Sequence, residues 1–389
     1  MKNNILLICL AVVLFSCEKQ DQLQNAGQIL NKIKAEAAPD KREAIFDVSF
    51  AKSRDGIIVR GETDLPQAKA ALLSELSKNE YVVTDSLVVL PDEKSDSLNW
   101  GLVTISVCNL RSLPSHDAEL ASQALLGTPV RVFKKQSNWY LVQTPDKYIS
   151  WVDSAALFLL SKQRFDNWRK QAKMIYLPSF GLATEPNSGK PVTDLVAGCI
   201  LQFMEKSGKD CLLSMPDRRL LQVPLADVED FEIWKKRAVP SVSEISKTAE
   251  LFMGRPYLWG GTSAKGADCS GFTKMVYFLN GIILARDASL QFRHGEKITE
   301  EQGWKDLQEG DLVFFGRKAT NEKPARATHV GYYLGNSEFI HASGFVRVNS
   351  FDSAKENFYN RKIDFLGGRR IINSLGSDGI VKVSDHPWY

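Results

Sequence analysis

One cysteine and two histidines are the groups in this chain best suited to nucleophilic chemistry. Cys269 follows the glycine-rich stretch 254–266 and precedes an apolar run at helical spacing, Phe272, Met275, Val276 and Leu279. That spacing predicts a helix that begins at the thiol. A helix start presents unpaired N–H groups and partial positive charge, which lower a thiol pKa and favour the reactive thiolate. Free cysteines are often plain core residues, but Cys269 sits between Asp268 and Ser270 rather than among apolar side chains. His329 and His341 lie in two strand-like runs, each six positions from Gly335. A tight turn at Gly335 and Asn336 would set them near-opposite on one face of a hairpin. A thiol, an imidazole base and a second polar group that orients the imidazole form a nucleophilic triad. In that reading Cys269 attacks, His329 is the base and His341 accepts the N–H of His329. The backbone N–H of Cys269 is placed to receive an oxyanion. Tyr257 either adds its hydroxyl there or packs within its own turn. His116, His294 and His386 fall in loop-like contexts and receive no role.

The elements that must position these groups are legible in outline. Ser241 and Glu244 form a capping box that opens an amphipathic helix before the cysteine stretch. The run 310–316 reads as a buried strand. Upstream, 100–152 holds short β runs separated by turn residues, as a small barrel does. Residues 173–232 repeat that rhythm, with 157–173 as a linking helix. Earlier still, strand-like 45–50 and 56–61, helix-like 65–76 and strand-like 81–90 form a small αβ unit. Residues 17–40 are polar and read as a tether or frayed helix.

Composition sets the frame. A chain of 389 residues exceeds one ordinary core. It is 44% apolar and 24% charged with a net charge of +3, as a folded protein is, and it has no basic tract pointing to nucleic acid. Of six cysteines, none stands at C-x-x-C spacing, so no metal site and no cofactor are expected. Cys199 and Cys211 could pair in an exported protein, although buried free thiols are the simpler reading. Lys2 and the apolar run 5–15 form a short signal-like segment, too short to span a bilayer comfortably. It ends in Leu-Phe-Ser-Cys at Cys17, which resembles a bacterial lipobox. The resemblance implies cleavage before Cys17, a lipid on its sulfur, and membrane attachment in the cell envelope.

Two further resemblances narrow the reading. Val-Cys-Asn-Leu-Arg-Ser from Val107, Ser-Asn-Trp-Tyr-Leu-Val from Ser137 and Tyr-Ile-Ser-Trp-Val from Tyr148 resemble bacterial SH3-like domains. Pro-Tyr-Leu-Trp-Gly-Gly, Asp-Cys-Ser-Gly-Phe, Gly-Asp-Leu-Val-Phe-Phe, His-Val-Gly-Tyr-Tyr and Ile-His-Ala resemble the NlpC/P60 family of papain-like cysteine peptidases over about 240–372. The implied class is α+β. A signal peptide (1–16), tether (17–40) and small αβ element (41–95) precede two SH3-like β-barrels (96–160 and 161–238) and a peptidase domain (239–389). The resemblance implies Cys269 as nucleophile, His329 as base and His341 as orienting residue. It implies hydrolysis of cell-wall peptides at a γ-D-glutamyl to diamino acid bond. The whole arrangement is similar to the family members that act on free murein peptides bearing an N-terminal L-Ala. In those, an acidic residue and a tyrosine of the first SH3-like domain bind the substrate amine, and Glu119 and Tyr148 match them. Asp287 is a further amine partner, while Trp259, Asp268 and Ser270 should line the groove. Here Ala288 stands directly after Asp287 where the family often has serine. Competing expectations are the same chemistry on polymeric peptidoglycan, or a wall-binding lipoprotein without activity.

Overall fold

Strands Phe46–Lys52 and Ile57–Thr63 pair antiparallel, and Val83–Val89 joins the second of them in parallel. A parallel pair needs a crossover, and helix Pro66–Lys78 supplies it. Its proline lies in the first turn, where a missing N–H costs nothing. Ala68, Leu72 and Leu76 recur every four residues and bury one helix face against Phe46, Ile57, Val59 and Leu87. The computed structural model describes residues 23–91, 97–237, 240–301, 303–360 and 364–389. The expected signal segment and Cys17 lie outside them. Residues 23–37 are a helix rather than a tether: Ala26 is fully buried, and Leu23, Ile29, Leu30 and Ile33 pack against the same core. Polar composition hid this apolar stripe. These elements form one unit, and 98–389 forms another.

The second unit contains two antiparallel sheets of seven strands. In the first, Leu157–Leu160, Trp100–Val103, Pro129–Gln136, Trp139–Gln143, Ile149–Asp153, Val107–Arg111 and Leu120–Leu125 lie side by side in that order. The second runs Val228–Asp230, Lys173–Tyr176, Ile200–Ser207, Asp210–Ser214, Leu220–Pro224, Phe180–Thr184, Pro191–Val196. Ranked along the chain, both follow the order 7-1-4-5-6-2-3. A short helix follows each, Lys162–Lys170 and Phe231–Arg237. Each helix carries Phe-x-x-Trp and then two basic residues, beginning at Phe165 and at Phe231. Three-residue spacing puts both rings on one helix face, and they stack at 5.9 Å and 5.5 Å between centroids. Cys108, Cys199, Cys211 and Cys269 are all free and buried, so Cys199 and Cys211 do not pair.

The third layer is a six-stranded antiparallel sheet, in the order Glu296–Ile298, Phe365–Arg370, Leu312–Arg317, Arg326–Gly335, Glu338–Ser343, Phe345–Ser350. Helix Cys269–Phe278 packs against it. Phe272, Met275 and Val276 share one core with Val330, Tyr332, Ile340 and Ala342. The apolar spacing read from the sequence is the face that pins this helix. Helix Val242–Glu250 opens at the expected cap, with the Ser241 hydroxyl accepting from the Glu244 N–H.

Candidate active site

Cys269 is the first residue of its helix, and Asp268 is the cap. The Asp268 carboxylate accepts from Gly271 N at 2.7 Å and from Gly260 N at 3.0 Å. It thereby fastens the helix start to the glycine-rich loop. Cys269 is 7% exposed. Burial pushes the Cys269 thiol up to about 12, and the Asp268 charge acts in the same direction. The N–H groups of Val330 and Ser270 and the Arg286 guanidinium pull it down without prevailing. The expected thiolate at a helix start is therefore corrected. At rest the sulfur keeps its proton, because desolvation outweighs the helix end, and chemistry at this sulfur requires a base.

Val330 N faces the sulfur, and His329 is the residue before it on the same strand. His329 Nε2 and His341 Nδ1 are 2.6 Å apart, with ring centroids at 4.9 Å. The pair forms by a different register from the one expected. The turn falls at Asn336 and Ser337, both at positive φ, one residue later than Gly335-Asn336. A register irregularity between Tyr333 and Gly335 then leaves Tyr332 paired with Ile340. Continued by one step, that register puts Gly331 opposite His341, and His329 lies diagonally two residues away on the same face. Gly331 makes the diagonal usable: a Cβ there would stand 3.2 Å from the His341 Cβ and 3.0 Å from Phe339.

His341 is fully buried, ringed by Phe339 and Tyr359. Burial holds its pKa down to about 4. A neutral imidazole has one donor and one acceptor nitrogen, and His341 spends them on Asn349 Oδ1 at 2.7 Å and on His329. Asn349 was not singled out from the sequence. This burial has a measurable cost. An unfolded His341 titrates near 6.5 and the folded one near 4. Between those values the unfolded chain binds the extra proton, so stability falls with decreasing pH. The contribution is complete above pH 6.5, and about 3 kcal/mol is lost by pH 4. Urea unfolding from pH 7 to 4 should show this slope, and His341→Asn should flatten it. An identical slope in the variant would refute the assignment.

The first sheet forms a wall of the site. Glu119 Oε1 accepts from Trp259 Nε1 at 2.7 Å, so the carboxylate matched to the amine site meets the tryptophan expected to line the groove. Next to them, Gly260 adopts a φ of +75°, and a Cβ there would come within 2.1 Å of the Leu120 carbonyl oxygen. Only glycine lets the loop lie this close. Three buried bonds then join it to strand Leu120–Leu125. Gln123 N donates to Thr262 Oγ1 (3.1 Å), Thr262 N to Gln123 Oε1 (3.0 Å), and Thr262 Oγ1 to the Gln123 carbonyl (2.8 Å).

Arg286 is fully buried, and the sequence reading gave it no role. Its Nη2 lies 2.6 Å from Asp268 Oδ2, its Nη1 donates to Asp268 Oδ1 and Ser270 Oγ, and its Nε donates to Ser122 Oγ of the first sheet at 3.0 Å. Asp268 and Ser270 are corrected accordingly. Both are buried and bonded inward to the cap and to Arg286, so they brace the cysteine rather than line a groove. Tyr148 is buried against Ala285, Leu290 and Ala121, on the side of the first sheet that meets Arg286. Asp287 precedes the short helix Ala288–Gln291, partly exposed, and its charge is felt by Arg286. Tyr257 is close enough to Cys269 for charge on the sulfur to raise its hydroxyl pKa, after burial has already raised it.

Comparison with known proteins agrees with this geometry. The NlpC/P60 family model matches residues 254–369, and the model described as the bacterial dipeptidyl-peptidase Sh3 domain matches 110–157. The chain is 30% identical over 270 residues to "Dipeptidyl-peptidase 6" of Lysinibacillus sphaericus, covering 64% of this chain and 91% of that protein. It is 27% identical over 232 residues to "Gamma-D-glutamyl-L-lysine dipeptidyl-peptidase" of Bacillus cereus, covering 58% of this chain and 67% of that one. An NlpC/P60 family protein from Bacillus cereus, known from its crystal structure, shares the fold, with a TM-score of 0.60 and 22% identity. The match covers 70% of this chain and 99% of that one. With its cysteine at a helix start and its paired histidines on the neighbouring hairpin, the chain belongs to the NlpC/P60 family of cysteine peptidases.

Proposed function

We propose that the enzyme hydrolyses the γ-D-glutamyl to diamino acid bond of free murein peptides that carry an N-terminal L-Ala. Cys269 attacks the γ-carbonyl as His329 takes its proton, and His341 holds the His329 ring. The Cys269 N–H and the Tyr257 hydroxyl receive the oxyanion. The C–N bond breaks as His329 returns that proton to the departing diamino acid amine, and the remaining thioester is hydrolysed by water, with His329 again as base. The name of the Bacillus cereus relative supports the bond, and the names of both relatives support a dipeptide product.

The observation that carries the substrate choice is the Glu119–Trp259 contact. It sets a carboxylate of the first sheet on the loop that leads into the nucleophile. A substrate ammonium needs such a carboxylate in a partly buried cleft, and an acylated amine would leave it unpaired. Tyr148 and Asp287 complete the amine side, and Trp259 forms the rim. The lipobox-like run at Cys17 supports attachment to an envelope membrane.

The test compares L-Ala-γ-D-Glu-diamino acid with its N-acetylated form. The free amine should be strongly preferred. Equal rates, or products released from intact sacculi, would instead favour action on polymeric wall. Glu119 is exposed in the free protein, so Glu119→Gln should lower kcat/KM for the free peptide by about fivefold, the upper end of what an exposed charge pair contributes. The preference over the acetylated form should shrink with it.

A further inference from the structure

The hydrogen bonds around the histidine pair run in one direction, and a backbone group fixes that direction. The Asn357 carbonyl oxygen can only accept, and it takes a bond from Asn349 Nδ2 at 2.8 Å. The Asn349 amide is therefore oriented with Oδ1 toward His341 Nε2, at 2.7 Å. An amide oxygen has no proton to give. His341 Nε2 must donate, and a neutral His341 then has a bare Nδ1. The 2.6 Å gap to His329 Nε2 holds a single proton, and it belongs to His329. His329 is left with one lone pair, on Nδ1.

We propose that Asn349 is a positioning residue that fixes the proton order of this relay, so that His329 presents a bare Nδ1 to the thiol. The idea rests on the reading of His329 as the base of Cys269. It adds a residue two steps from His329 and three from the sulfur, on strand Phe345–Ser350 and bonded to His341 rather than to the nucleophile. An asparagine here passes on direction without charge. It can orient a neutral imidazole, but it adds no carboxylate that would draw a second proton onto the pair. Reversed, the relay would put the His329 proton on Nδ1, and the base would have nothing with which to accept.

Long-range 1H–15N spectra of the full chain labelled with [15N]histidine read this order directly, with signals assigned through single histidine variants. The parent should show both His329 and His341 protonated on Nε2 and bare on Nδ1. A parent His341 protonated on Nδ1 would overturn the proposal without any variant. Asn349→Leu, close in shape but without an acceptor, should move the protons of both rings or leave them exchanging. Its kcat should fall by between about 10-fold and the roughly 10⁴-fold that a wrong tautomer costs a serine peptidase triad, with KM little changed. Asn349→Asp retains an acceptor oxygen, so His341 should keep its Nε2 proton, while the added carboxylate should raise the pH at which the pair takes up a second one. Loss of the His341 Nε2 proton in Asn349→Asp, or parental order with parental kcat in Asn349→Leu, would refute the role. If Asn349→Leu reverses the protons while hydrolysis continues undiminished, Asn349 governs the order as inferred, and the assignment of His329 as base fails instead.

Discussion

Arg286→Met is expected to destabilise the 98–389 unit by about 3–5 kcal/mol, the typical cost of removing one partner of a buried ion pair. The guanidinium is fully buried and bonded to Asp268, Ser270 and Ser122. Without it, Asp268 keeps two backbone N–H partners but loses its countercharge in a site that water barely reaches. A buried, uncompensated carboxylate costs far more than the lost contacts alone. The control is Asp268→Asn combined with Arg286→Met. Asparagine remains a good helix cap and carries no charge, so the double variant should recover part of the loss. Urea unfolding gives the comparison. If Arg286→Met unfolds at the parental midpoint, or the double variant is no better than the single, the pair is not the brace described here.

Cys269→Ala should lower hydrolysis of the γ-glutamyl tripeptide by on the order of 10⁴- to 10⁶-fold, as loss of a nucleophile does in a comparable peptidase. It should leave the fold intact. The sulfur is buried and protonated at rest, so its removal strands no charge and opens only a small void. Burial also pushes Cys108 and Cys199 up to about 12. Their thiols donate instead to the Asn109 and Ser106 backbone carbonyls, respectively, so neither is poised to substitute. Product formation by chromatography, read beside a thermal melt, separates lost chemistry from lost structure. Activity within tenfold of the parent would assign the nucleophile elsewhere.

Much of the site was legible because its residues are chemically loud. A cysteine after a glycine-rich loop and histidines on both arms of a hairpin announce themselves, and the apolar spacing after Cys269 gave its helix. What escaped depends on partners that only folding supplies. Arg286 looks like any charged residue beside Asp287 until Asp268 and Ser122 close around it. Asn349 sits in an ordinary strand sequence, and its role exists only through the Asn357 carbonyl. His341 faces Gly331, two residues from the expected His329, because the turn falls later and the strand is irregular near Gly335, which no alternation pattern reveals. By contrast, the Phe-x-x-Trp repeat at Phe165 and Phe231 was open to reading. It supports the shared strand order of the two seven-stranded sheets.

The join between Gln123 and Thr262 has a consequence for how such enzymes diversify. Peptidase and SH3-like segments look interchangeable along the chain, as beads on a string. Yet the loop carrying Trp259 and Gly260 is stitched to strand Leu120–Leu125 by buried bonds, and Ser122 of that strand reaches Arg286. A transplanted SH3-like segment without counterparts of Ser122 and Gln123 would misplace the loop and unsettle the cysteine with it. New specificity is therefore more accessible by editing side chains around Glu119 in place than by exchanging whole domains.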